Sequence, residues 1–417
     1  MTRMLSFLAL GLALTVTPRA SAAQARPTGG PSPVDTANQC LLCHAAQREA
    51  AEVGVHSEHG VRCVACHGGD PTARDLPAAH RGSFLGTPTK VQTAQLCGSC
   101  HSNPDLMREY ALPTGQLAEF RTSKHGQLLL GRQNTDAPTC TDCHGTHIIY
   151  PPDDARSHVY PTNIPGTCAH CHSNDQLMAK YRLRTGQFED FRNSAHGDAL
   201  YRQQNFASPT CVGCHGAHSA LPPTVSEIAN VCSRCHQLVG QAFAAGPHGA
   251  ATRAGRIPAC LACHSNHGTE VAAGGQITVV CDKCHADDTR LHQIGVDLQQ
   301  RMTRLDRDME SSRQAIAELQ LAGRRADDYR FRYQTALTSY LQVAQVQHRL
   351  NLGQMDDLER QVRSIAVELS AAVESAREDR WEHKMVLLPV WFLALSAVAL
   401  AWLTLRALKR AGTERES

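Results

Sequence analysis

Residues 97–147 read CGSCHSNPDLMREYALPTGQLAEFRTSKHGQLLLGRQNTDAPTCTDCHGTH, and residues 168–218 read CAHCHSNDQLMAKYRLRTGQFEDFRNSAHGDALYRQQNFASPTCVGCHGAH. The two align without a gap at a period of 71 residues. Each holds two Cys-x-x-Cys-His motifs, a middle His-Gly and a trailing His three residues beyond the second motif. A shorter version spans 232–267, with GPHG in the middle and CHSNH at the end. A still shorter one spans 40–67, with SEHG in the middle and Asp70 where the others place their last histidine. A lone motif at 281–285 follows.

The nine motifs use all 18 cysteines: Cys40 and Cys43, Cys63 and Cys66, Cys97 and Cys100, Cys140 and Cys143, Cys168 and Cys171, Cys211 and Cys214, Cys232 and Cys235, Cys260 and Cys263, and Cys281 and Cys284. Each pair is followed directly by a histidine: His44, His67, His101, His144, His172, His215, His236, His264 and His285. Structural zinc needs two ligand pairs per ion, which an odd number of pairs fits poorly. A disulfide scaffold does not require a histidine after every second cysteine, and a thioredoxin-like motif occurs once, in a βαβ context. The spacing is that of covalent c-type haem attachment: two thiols bond the porphyrin vinyls and the adjacent imidazole ligates the iron. Nine haem c groups are expected.

Of 23 histidines, 14 remain after the motif set. The His-Gly positions select His59, His125, His196 and His248 as second iron ligands. The trailing positions select His147, His218 and His267, each too close to its own motif histidine to reach the far face of the same iron, so a ligand to a neighbouring haem is expected. His80 is the candidate to replace the histidine missing at Asp70, and His292 is the candidate near the last motif. That gives nine second ligands for nine irons. His56, His158, His170, His348 and His383 fall outside the pattern, with His56 competing with His59. Met107 and Met178 sit at equivalent repeat positions and read as packing residues.

Composition agrees. Aromatic residues are 5% of the chain, and long apolar runs are few in the haem region, so the porphyrins are expected to supply much of its interior. A net charge of +2 points to no nucleic acid, and no phosphate loop or nucleophilic triad stands out.

The ends and the middle divide the chain further. Residues 1–22 read as a signal peptide with Ala20-Ser21-Ala22 at the cleavage site, and 23–36 as a flexible leader. The cytochrome domain covers 37–286. Residues 287–384 lack Cys and Pro and carry two heptad-like stripes, Leu298, Met302, Leu305, Met309, Ile316, Leu319 and Met355, Leu358, Val362, Ile365, Leu369. They predict a coiled-coil-like stalk of three helices, at 288–322, 326–350 and 354–383, either folded back as a bundle or extended into a homo-oligomer. Residues 385–405 are uncharged and long enough for one transmembrane helix. Arg406, Lys409 and Arg410 follow, placing the tail 406–417 in the cytoplasm and the haems in the periplasm of a bacterial inner membrane.

On these motifs, residues 37–292 resemble the multihaem cytochromes c of bacterial respiration. The CxxCH…SxHG…CxxCHGxH module is similar to that of decahaem electron-transfer cytochromes and the wider doubled-CxxCH class. The resemblance implies a haem-packed, mostly irregular fold with short helices, and electron hopping without substrate chemistry. Expected partners are the membrane, an integral membrane quinol-oxidising or cytochrome subunit, and periplasmic redox proteins. The long C-terminal helices also look like those of hydroxylamine oxidoreductases and of multihaem nitrite or tetrathionate reductases. That alternative implies an enzyme of small nitrogen or sulfur compounds with one haem open to substrate.

Overall fold

The computed structural model describes residues 38–224, 227–269, 276–322 and 327–413. The signal peptide, the leader and the last four residues lie outside them. Among the described residues the secondary structure is helical, with no strand.

The haem-motif region is a succession of helices mostly under two turns long. Helices this short are marginal alone and depend on tertiary contacts. Motif residues start or end many of them, as at Cys63–His67, Lys90–His101, Cys140–His144, Ile164–His172, Cys211–His215 and Ile277–His285. Local chemistry sets their ends. Thr89 closes a capping box with Gln92, and Ser123 and Ser194 accept from the amides of Gly126 and Gly197.

The 71-residue period persists in the backbone. Ala111 and Arg182 are both left-handed, as are Gln133 and Gln204. Met107 and Met178, Leu129 and Leu200, and Thr139 and Thr210 are buried in matching pairs. The regular helical content of this region exceeds the mostly irregular chain expected.

Three long helices follow: α1 (Thr289–Leu321), α2 (Asp327–Val346) and α3 (Asp356–Thr413). They fold back up-down-up, and each packs on both others. The seam buries Leu298, Met302, Leu305, Met309 and Leu319 of α1 against Ala336 and Val343 of α2 and Met355, Val362, Ile365, Leu369 and Val373 of α3. Of the expected stripe residues, Ile316 and Leu358 sit at its edge rather than in the seam. Small residues such as Ala315, Ala336 and Ala366 let the helices approach closely. The stripes are therefore satisfied within one chain.

Polar contacts fix the register. Arg301 reaches Asp297 at 3.1 Å, Asp356 at 2.7 Å and Glu359 at 3.0 Å, clamping α1 to the start of α3. The Tyr340 hydroxyl donates to Asp306 at 2.7 Å, and Arg377 meets Glu318 at 2.8 Å near the other end.

Beyond the bundle α3 runs on without a break into an apolar stretch of mean hydropathy 2.3, none of it buried within the structure. It is the one helix among the described residues long and apolar enough to cross a membrane. Pro389 lies inside it, at the point where the apolar stretch begins.

Leu369→Ala removes a fully buried side chain from the seam and is expected to destabilise the bundle by about 2–5 kcal/mol. Val367→Ala, at a 64% exposed position, should stay within about 0.5 kcal/mol. Thermal melting of the helical signal in the full chain measures both.

Candidate haem-binding array

The nine motif histidines each face one histidine from outside the motifs. His44 faces His80, His67 faces His147, His101 faces His56, and His144 faces His218. His172 faces His125, His215 faces His267, and His236 faces His196. His264 faces His348, and His285 faces His248.

The spacing is nearly constant: ring centroids are 6.0 Å apart at the closest and 6.3 Å at the widest. Two metal–nitrogen bonds of about 2 Å, with roughly 1.2 Å from each nitrogen to its ring centre, add to about 6.3 Å. The donor set therefore fits an iron held between two imidazoles, and the thiols of each motif lie beside one member of the pair.

The second ring nitrogen is often engaged. Nδ1 of His67 lies 2.8 Å from the Gly86 carbonyl, that of His215 3.2 Å from Leu221, and that of His348 3.0 Å from Ala344. His196 Nδ1 lies 3.1 Å from Thr269 Oγ1. Such bonds fix the tautomer and leave Nε2 as the ligating atom. Burial, and then the facing ring, lowers the pKa of His56, His125, His196 and His248, and burial followed by the nearby His215 lowers that of His172, which favours the neutral form that a metal requires.

The pairs follow a rule. The middle histidine of one module faces the first motif of the next, as with His125 and His172. The trailing histidine of a module faces the second motif of the one before, as with His218 and His144. Repeated backbone bonds accompany the exchange: Val55 N–H donates to Ile149, Lys124 to Ala220 and Ala195 to Thr269, at 2.9–3.1 Å. Each joins the helix carrying a middle histidine to the tail of the next module.

The rule explains the irregular ends. A trailing histidine at Asp70 would have no earlier motif to face, and Asp70 instead accepts from Thr72. His80 takes the place of a middle histidine from a module that does not precede the first. It stacks on Phe84 at 4.0 Å.

Two expected ligands are corrected. His59 faces no motif histidine; its ring lies edge-on to Tyr110 at 4.8 Å, and His56 stands opposite His101. The letters SEHG imitate SKHG and SAHG, but Gly54, not Ser57, begins the short helix, as Gly246 does for His248. The signal was the glycine two residues before the histidine.

His292 pairs through Nδ1 with Asp282 at 2.9 Å, and His348 stands opposite His264. Sequence reasoning missed His348 because it lies at the end of a stalk helix, 84 residues beyond its partner. Counting alone could not find it, because seven modular partners and His80 leave one motif unserved and His292 filled the count. Met107 and Met178 are buried and line the cavity described below, with no motif histidine paired to them. His158 and His170 join none of the nine pairs.

The motifs succeed one another in space as they do in sequence. Thiols of Cys97 and Cys140, Cys168 and Cys211, and Cys232 and Cys260 neighbour one another across motifs. Cys66 neighbours Cys100, Cys143 neighbours Cys168, Cys214 neighbours Cys232, and Cys263 neighbours Cys281. A continuous cavity of about 2750 Å³ runs along this line, from Cys66 to Cys281. Among the described residues no three His, Cys, Asp or Glu side chains converge as around a zinc ion.

The cavity does not take in every expected attachment thiol. Cys43 and Cys284 are exposed and lie outside its lining, whereas Cys100, Cys214, Cys235 and Cys263 are exposed but border it. Cys40 and Cys63 also stand outside it, half-buried. Three of these four, Cys40, Cys43 and Cys284, belong to the first and last motifs, which have a neighbouring motif on one side only. The histidine pairs there, His44 with His80 and His285 with His248, keep the common spacing.

Comparison with known protein families, curated proteins and solved structures finds no match to this chain.

Gly126 and Gly197 follow His125 and His196, where a Cβ would meet the carbonyls of Phe120 and Phe191 at 1.8 and 2.2 Å. Gly126→Ala should cost about 1–3 kcal/mol through this overpacking, whereas Gly131→Ala, with nothing within 4 Å, should be tolerated. Melting temperatures of the two purified variants distinguish them.

Proposed function

We propose that this chain is a nonahaem c-type cytochrome that conducts electrons along a row of bis-histidine haems. The observation that carries the reading is the set of nine histidine pairs, each with a CxxC beside one member and all at one spacing. Bound haem supplies reversible one-electron chemistry, with potentials set by axial ligands and surroundings.

The protein's own part is positional. Covalent thioethers fix the haem edges, paired imidazoles fix the axes, and Nδ1 hydrogen bonds fix the imidazoles. Two imidazoles per motif would both hold the iron of a bound haem, which would leave no place on it for nitrite, hydroxylamine or tetrathionate. Conduction is accordingly preferred to the oxidoreductase reading. The first and last motifs, whose Cys43 and Cys284 lie outside the shared cavity, form the two ends of the row and are where electrons would enter and leave.

The apolar end of α3 anchors the chain in the inner membrane, with the haem region in the periplasm. The axis of α3 from Asp356, beside the haem region, to Met385, at the start of the apolar stretch, is roughly 44 Å long. A donor confined to the bilayer does not span that distance. The quinol-linked partner therefore carries a tall periplasmic portion of its own, and periplasmic or outer-membrane acceptors take electrons at the other end.

Intact-mass measurement of the mature protein should find nine haem adducts and no free thiol. Its oxidised spectrum should be low-spin throughout and unchanged by nitrite or hydroxylamine. Free sulfhydryls with bound zinc would overturn the cytochrome reading. A high-spin component altered by either compound would replace conduction with catalysis.

A further inference from the structure

We infer that the helical bundle is itself part of the haem array, because its His348 is the second axial ligand of the haem attached at Cys260 and Cys263. The inference rests on the cytochrome reading and goes beyond it: what the sequence presents as a stalk completes a cofactor site.

The lone motif at Cys281–His285 is the first half of a fifth module. Its histidine faces His248, the middle histidine of the fourth module, as the modular rule requires. The second half is missing from the sequence, and with it the trailing histidine that should face His264. The chain instead runs through α1 and returns along α2, ending in the turn Gln347–Arg349. That turn brings the His348 ring to 6.2 Å from His264, at an interplanar angle of 26°.

The turn also copies the backbone role of a module tail. In the other modules the tail lies against the start of the helix that carries a middle histidine. Here a Cβ on Gly246, at the start of the His248 helix, would lie 3.1 Å from the carbonyls of both His348 and Arg349. The residue equivalent to Val55, Lys124 and Ala195 is Pro247, which has no N–H to donate. The contact is made by close packing where the others make a hydrogen bond.

His348 is prepared for the task. Its Nδ1 lies 3.0 Å from the Ala344 carbonyl one turn back, which directs Nε2 outward. Leu350, left-handed at φ 55°, turns the chain directly afterwards, and Arg301 clamps α1 to the start of α3 nearby. His292, the rival, turns its Nδ1 to Asp282 on the motif helix and faces no motif histidine.

The experiment compares full-length His348→Ala, His348→Met and His292→Ala in detergent. Intact mass counts haem adducts, magnetic circular dichroism reads spin state, and a redox titration reads potentials. His348→Ala should retain nine adducts with about one ninth of the haem converted to high spin, restored by added imidazole, while His292→Ala stays low-spin. His348→Met should remain low-spin with a single centre moved to higher potential.

Wholly low-spin His348→Ala, or a high-spin centre in His292→Ala, would overturn the inference. If His348→Ala does not accumulate, His348→Met decides: an unchanged titration curve counts against the ligand and one raised centre supports it. Absence of haem adducts from the unaltered protein would instead sink the cytochrome reading on which this one depends.

Discussion

The facing of two imidazoles across a module boundary is the constraint on which the rest of the molecule depends. A haem region of short helices and few aromatic residues has little of the ordinary apolar core that stabilises a domain. Each module with a trailing histidine gives one ring backward and one forward, so that neither of its motif histidines faces a histidine of its own module. Neighbours are thus locked together at the points where the chain's own apolar packing is thinnest. The arrangement also makes motif order in space follow motif order in sequence, because partners of all but the two terminal exceptions are one module apart.

Interlocking of this kind leaves unsatisfied positions at both ends of a finite row, and the two ends solve the problem differently. At the start, His80 lies on a short helix just beyond the second motif and folds back to His44. At the finish, the helical hairpin of α1 and α2 carries His348 back to His264. Repeat proteins generally need atypical terminal units to close their stacks. Here the closing units are recognised by the ligands they bring rather than by a polar face.

Much of this was legible in the sequence, and the limits have physical causes. The CxxCH count, the 71-residue period, the two heptad stripes and the apolar helix were read directly, because each is a local or strictly periodic signal. The trailing histidines were assigned to neighbours on geometry alone, since three residues of chain cannot carry a ring around a porphyrin. His59 was chosen over His56 by matching letters, whereas the backbone is set by Gly54, whose φ of +99° and close approach to Ile149 fix where the short helix begins. Nine identical motifs also gave no hint that Cys40, Cys43, Cys63 and Cys284 would lie outside the cavity that the other thiols border, since that depends on which neighbours the fold supplies. His348 was hidden by composition. It sits in a segment that reads as bundle throughout, and only the pairing rule, itself a product of the fold, makes a histidine there necessary.

The bundle's dual role bears on how the chain is put together. Packing of α1, α2 and α3 would proceed from their own apolar seam whether or not haem is attached. Once packed, however, the end of α2 is held within a few ångströms of the helix carrying His248, so folding of the bundle presents a preformed ligand to the eighth motif. The same seam positions α3, whose continuation is the apolar helix. On the proposed reading, the helix that would set the height of the haem row above a bilayer and the bundle that would complete its coordination are joined through one continuous helix. The contacts that tie the start of α3 to the haem-motif region are the Arg301 clamp on α1 and the turn at His348.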